Sequence, residues 1–152
     1  MRQIRRSALV AVSPERMYEL INDVERYPEF VPGCAAAEVL ERGPDSLRAR
    51  LTVGSGLMRT SFVTRNRLSP PGAIHMELDE GPLKSLAGEW TLTPLAGQGV
   101  SGCKVELDLR FEVQGGLKGL ALGPAIERLA GALVDAFVAR SRTMPAAAGA
   151  QA

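Results

Sequence analysis

The sequence predicts an α+β domain in which a curved antiparallel sheet is covered on its concave face by one long C-terminal helix. Three observations carry this. A helical apolar period sits near the start, with Met17, Leu20, Ile21 and Val24 at i, i+3, i+4 and i+7. From residue 37 to 113 the pattern turns to alternation broken by short turn signals. A second helical stripe then runs through Ile126, Leu129, Ala130, Leu133, Phe137 and Ser141.

The elements follow in chain order. Residues 3–12 read as a strand of mixed alternation. Ser13-Pro14-Glu15 opens a helix: Ser as N-cap, Pro in the first turn, and Glu at the positive helix end. That helix is expected to end near Glu25, because Pro28 lacks an N–H and disfavours helix at Tyr27. Pro32-Gly33 marks a second break. In the strand region, Leu47, Ala49, Leu51 and Val53 alternate with polar residues. Gly54-Ser55-Gly56 reads as a hairpin turn into a run over 58–68, and Pro70-Pro71-Gly72 as the next turn. Ile74, Met76 and Leu78 alternate with His75, Glu77 and Asp79, and Trp90 and Leu92 with Thr91 and Thr93. Val105, Leu107, Leu109, Phe111 and Val113 alternate with Lys104, Glu106, Asp108, Arg110 and Glu112. Successive strands with short turns imply one antiparallel sheet, wet on one face and covered on the other. The helix over 117–142 is amphipathic, and Gly123-Pro124 should kink or restart it. One helix cannot fill the concavity, so an apolar cavity between helix and sheet is the expected ligand site.

Composition narrows the classes. The chain has 152 residues, 45% of them hydrophobic, and a formal net charge of +1. That length supports one core, read as a single domain over 1–144 with a disordered tail over 145–152. Net charge predicts no partner, so any electrostatic argument is local. Cys34 and Cys103 are far apart and form no metal or redox motif, so buried reduced thiols are expected. The N-terminus lacks the pattern of a secretory signal, and no apolar run reaches the roughly 18–20 residues of a membrane span. A soluble, cytoplasmic protein is expected, with no DNA partner and at most peripheral membrane contact.

Catalytic and metal-binding classes find little support. His75 is the sole histidine. Its strand neighbours Ile74, Met76 and Leu78 belong to the other face, so His75 should point outward with Glu77 and Asp79. No catalytic residue, metal ligand or required cofactor is assigned. On residues 58–68, Arg59, Ser61, Val63, Arg65 and Arg67 share one face. Arginines rarely face a core, so Met58, Thr60, Phe62, Thr64, Asn66 and Leu68 should face inward. Buried polar groups need partners, whether backbone, water or ligand.

Particular residues also carry a resemblance. Asp23-Val24 is followed by Tyr27-Pro28-x-Phe30-x-Pro32. Thr64-Arg65-Asn66 comes next, then Gly81-Pro82-Leu83-Lys84 with Leu86, Gly88 and Trp90, and finally Asp135-Ala136-Phe137. In this order and spacing the chain resembles the coenzyme Q-binding branch of the START-like, polyketide-cyclase superfamily, which has a helix-grip fold. The resemblance covers residues 1–144; Leu83 stands where Phe is common. Within that branch it is most similar to the bacterial ribosome association toxins.

The resemblance implies two activities. One is binding of ubiquinone or a related isoprenoid, in support of respiration, as carrier or chaperone. The other is binding of the large ribosomal subunit and a block on subunit joining. A cyclase-like enzyme is a third reading. On the first, a quinone oxygen would meet Thr64 and Asn66, and the tail would lie along Leu51, Met76, Trp90, Leu107 and Leu133. Tyr27, Phe30 and Val31 would form a lid or a fixed plug over the pocket. Phe62 and Phe137 complete the candidate set. On the second, Arg48, Arg50, Arg59, Arg65 and Arg67 are an anionic-partner patch, unless Glu38, Glu41, Glu77 and Asp79 neutralise it.

Overall fold

The computed structural model describes residues 2–55, 58–95 and 102–143. The expected tail over 145–152, Gly56 of the expected turn and the side chain of Met58 lie outside the described residues.

Strand β1 (Arg2–Val10) leads to helix α1 (Pro14–Asn22). Ser13 caps α1: its hydroxyl oxygen accepts from the Arg16 backbone N–H at 3.2 Å, and Pro14 occupies the first turn. A single 3-10 turn (Val24–Arg26) and a short helix α2 (Tyr27–Phe30) follow. The expectation that proline keeps helix away from Tyr27 is corrected here. Tyr27 is helical, with φ −52° and ψ −42°, and Pro28 lies in the first turn of α2, where no intrahelical N–H is required. The chain leaves this helix at Val31, which is extended.

Strands β2 (Cys34–Arg42), β3 (Ser46–Ser55), β4 (Met58–Ser69), β5 (Ala73–Glu80), β6 (Leu83–Pro94) and β7 (Cys103–Val113) complete the sheet. It is antiparallel throughout, in the order β1-β7-β6-β5-β4-β3-β2. Helix α3 (Leu117–Thr143) crosses its concave face and packs on β1, β7, β3 and β4. The helix runs through Pro124 as one element and does not restart there.

Alternation decides which side chains α3 covers. On β7, Cys103, Val105, Leu107, Leu109 and Phe111 are buried and the residues between them are not. On α3, Leu122, Ile126, Leu129, Ala130, Val134 and Phe137 are buried. On β4, Phe62, Thr64, Asn66 and Leu68 are buried, as the arginine argument requires. Val63 is an exception on the outer face. It is 3% exposed, between Arg50 and Glu80 in register, where β4 is irregular beside β5. The turn between β5 and β6 closes tightly on β4. Gly81 has φ +143°, and a Cβ there would stand 2.7 Å from Phe62 Cβ, so the position requires glycine.

Candidate functional site

A cavity lies between the sheet and α3. Its empty space is about 630 Å³, counting its opening to solvent. Ala49 and Leu51 come from β3, Phe62, Thr64 and Asn66 from β4, and Met76 from β5. Leu86 and Trp90 come from β6, and Leu107 and Leu109 from β7. Ile126, Leu129, Ala130 and Leu133 of α3 form the roof, with Val24 and Tyr27 at one end.

One register row explains the shape of the floor. Asn66 pairs with Met76, Met76 with Gly88, and Gly88 with Leu109. Gly88 has no side chain, and its neighbours lean over the gap. A Cβ at Gly88 would stand 2.7 Å from Met76 Cε and 2.9 Å from Leu109 Cδ1.

Nine of the twelve residues expected to bind ligand stand in this wall: Tyr27, Leu51, Phe62, Thr64, Asn66, Met76, Trp90, Leu107 and Leu133. Phe30, Val31 and Phe137 do not: Phe30 and Phe137 pack edge-on against Tyr27, and Val31 leaves the end of α2 as extended chain. Phe137 is fully buried, with its ring centroid 5.2 Å from Tyr27, 5.5 Å from Phe30 and 5.4 Å from Trp90, all edge-on. Val31 is 3% exposed and Phe30 is half-buried. Ala49, Leu86, Leu109, Ile126, Leu129, Ala130 and Val24 were not singled out as ligand-binding, although most carry the same inward alternation or helical stripe.

Polar groups in the wall are few. The Tyr27 hydroxyl donates to the Ile21 carbonyl. Burial pushes its pKa up, and the nearby Cys34 and Asp23 add to this, so it stays protonated and is a poor proton donor. Asn66 Oδ1 has no hydrogen-bond partner. Beneath Tyr27, burial raises the Cys34 thiol to about 11, which makes it an inert thiol at neutral pH. His75 is outside the cavity, with Nδ1 3.0 Å from Glu89 Oε2 on the outer face. Among the described residues, no group of three His, Cys, Asp or Glu side chains could hold a metal ion. No helix among them is long and apolar enough to cross a membrane.

The arginine face is largely compensated. Arg48 is ion-paired with both Asp79 and Glu80 on β5. Arg50 meets Glu38 at 2.8 Å, and Arg65 lies 3.8 Å from Asp79. The hydrogen bond from Arg48 holds the Asp79 carboxyl below its ordinary value. Among the described residues, Arg59 and Arg67 make no ion pair, so these two are the available cations of the five.

Comparison with known proteins places this geometry in a family. Residues 10–138 match the family described as polyketide cyclase / dehydrase and lipid transport. The chain is 42% identical over 141 residues to the ribosome association toxin RatA of Pseudomonas aeruginosa, covering 93% of this chain and 96% of that one. It is 30% identical over 105 residues to the mitochondrial coenzyme Q-binding protein of Drosophila melanogaster, covering 68% of this chain and 43% of that one. An aromatase/cyclase from Streptomyces shares the fold with a TM-score of 0.81 at 21% identity, over 97% of this chain and 98% of that one. The chain belongs to the polyketide cyclase / dehydrase and lipid transport family, with a START-like helix-grip fold, in the branch that contains the ribosome association toxins.

Proposed function

We propose that the protein associates with the ribosome and that its cavity holds a lipophilic small molecule of the quinone or isoprenoid class. One observation carries the first part: 42% identity, across nearly the whole of both chains, to a protein named for ribosome association. The coenzyme Q-binding relative is more distant and is matched over less of its length. Ribosome association is therefore the primary reading, ahead of the carrier role that the sequence alone favours. The partner is the large subunit, and its occupation blocks subunit joining. The outer face of the β3–β4 hairpin, with Arg59 and Arg67 unpaired among the described residues, supports contact with an anionic surface such as ribosomal RNA.

The cavity favours a ligand independently. Its wall is largely apolar and carries one buried amide oxygen, Asn66 Oδ1, without a hydrogen-bond partner. Enzymatic turnover is the weaker reading. Among the described residues the wall carries no Asp, Glu, His, Lys or Arg; Tyr27 is titratable, and its proton is held by burial and the Ile21 carbonyl.

Sedimentation through sucrose tests the first part. The protein is expected to travel with large subunits and to reduce joined ribosomes when added before subunit mixing. Absence from every ribosomal fraction would overturn it. Solvent extraction of the purified protein followed by mass spectrometry tests the second, with a stoichiometric quinone or isoprenoid expected.

A further inference from the structure

The cavity has a polar pole on a single strand. Thr64 and Asn66 are two residues apart on β4, so both side chains leave the same face. Thr64 is 5% exposed and Asn66 is 7% exposed. Asn66 Oδ1 lacks a hydrogen-bond partner, and its register neighbours Leu47 and Met76 have no side-chain donor. A buried carbonyl without a donor is costly, so a ligand group that supplies one is favoured. Among the described residues, no Arg, Lys, His, Asp or Glu lines the cavity. A carboxylate or phosphate would therefore be buried there without a counter-charge.

We propose that the cavity selects a neutral, largely hydrocarbon ligand bearing a hydroxyl group, and that this hydroxyl donates to Asn66 Oδ1. The inference rests on the reading of the cavity as a ligand site and adds what that site recognises. A quinone carbonyl only accepts. It can take a hydrogen bond from the Thr64 hydroxyl or the Asn66 amide N–H, but it leaves Oδ1 unpaired. A hydroxyl donates and accepts, so it satisfies Oδ1 while receiving a bond from Thr64 or the amide. Were the Asn66 amide turned over, an N–H donor would stand at this place and a carbonyl would be preferred, so a preference for the quinone would report that opposite orientation. A redox-active ring is then held in its reduced dihydroxy form in preference to the oxidised dione. A ligand without redox chemistry is held as an alcohol or phenol in preference to its ether.

Trp90 is the sole tryptophan and stands in the cavity wall, so its emission reports occupancy. Three probes of one skeleton separate the cases: a short-chain benzoquinone, its quinol kept under anaerobic conditions, and the dimethyl ether of that quinol. Calorimetry measures the same affinities without relying on quenching. The quinol is expected to bind at least about fivefold more tightly than the quinone or the ether. Asn66→Leu is expected to remove that preference while retaining binding of all three. Equal affinities in the wild type, or a preference for the quinone, would overturn the hydroxyl selection and leave the ligand site standing. Binding of none of the probes would overturn both. A preference that persists in Asn66→Leu would remove Asn66 from the recognition. The wild-type comparison decides the matter even where Asn66→Leu does not fold.

Discussion

Arg140 on α3 places its guanidinium carbon 4.9 Å from the centre of the Phe30 ring on α2. The same side chain donates to Glu29 Oε1 at 2.9 Å. One residue of the long helix thus holds both Glu29 and Phe30 of the short helix that ends the cavity at Tyr27. A cation–π contact at such a site contributes about 0.5–1 kcal/mol, and an exposed ion pair about 0.2–1 kcal/mol. Arg140→Gln should therefore cost little global stability. If α2 is a lid, backbone amides over 27–31 should exchange with deuterium faster in this variant, and ligand should leave faster. If α2 is a plug, exchange there will match that of 105–113 in both proteins. Phe30→Ala separates the two further. A lid predicts faster ligand release with a modest fall in melting temperature. A plug predicts a loss approaching the roughly 3–5 kcal/mol of a core Phe truncation.

Gly88 controls how much room the floor leaves. In Gly88→Ala, the added methyl meets Met76 Cε at 2.7 Å and Leu109 Cδ1 at 2.9 Å. The Met76 end group is flexible and can move, and the available direction is into the cavity. Affinity for a lipophilic probe should fall several-fold, with a stability loss of about 1–3 kcal/mol from overpacking. Gly88→Ala with Met76→Ala should restore much of the binding. Unchanged affinity in the single variant would place the ligand away from this row.

The arginine face makes a salt-dependent prediction. Arg59→Gln with Arg67→Gln removes the two cations without ion-pair partners among the described residues. Ribosome association should weaken, and the slope of log affinity against log salt should fall by about 0.7–0.9 for each lost phosphate contact. Arg50→Gln should have less effect, because Glu38 already engages that guanidinium. Equal losses from all three positions would argue for a general charge effect.

The parts of the fold that were legible are those with a period. Val105 through Phe111 alternate because one face meets α3, and that can be counted along the chain. The inward set on β4 was found through its opposite, since Arg59, Arg65 and Arg67 exclude their own face. Three features had no such signal. Phe137 shares the helical stripe of Leu133, yet it closes an aromatic cluster while Leu133 reaches the cavity. That difference is set by where α3 crosses the sheet. The helical turn at Tyr27–Phe30 was hidden because Pro28 acts both as a helix breaker and as a favoured first-turn residue. Its neighbours in sequence do not reveal which role applies. The pairing of Arg48 with β5 depended on register, which alternation leaves open by steps of two residues.

The last prediction concerns acid. Hydrogen bonding from Arg48 is the largest cause of the lowered Asp79 pKa, with the charges of Arg48 and Arg65 adding to it. Protons therefore bind the unfolded chain more readily than the folded one at this carboxyl. Its contribution to stability is present above the ordinary aspartate value of about 3.9 and is lost as pH falls through the depressed folded value. Asp108 behaves in the same direction, held chiefly by its hydrogen bond from Gln3 on β1. Arg48→Gln should then flatten the acid limb of a stability-versus-pH curve below about pH 4 without abolishing it, because the Asp108 contribution remains. High salt should flatten the wild-type limb in the same sense, since both carboxylates are partly solvent-exposed. Chemical denaturation between pH 2 and 7 measures this. An acid limb of equal slope in wild type and Arg48→Gln would show that the Arg48–Asp79 pair does not set the acid sensitivity of this face.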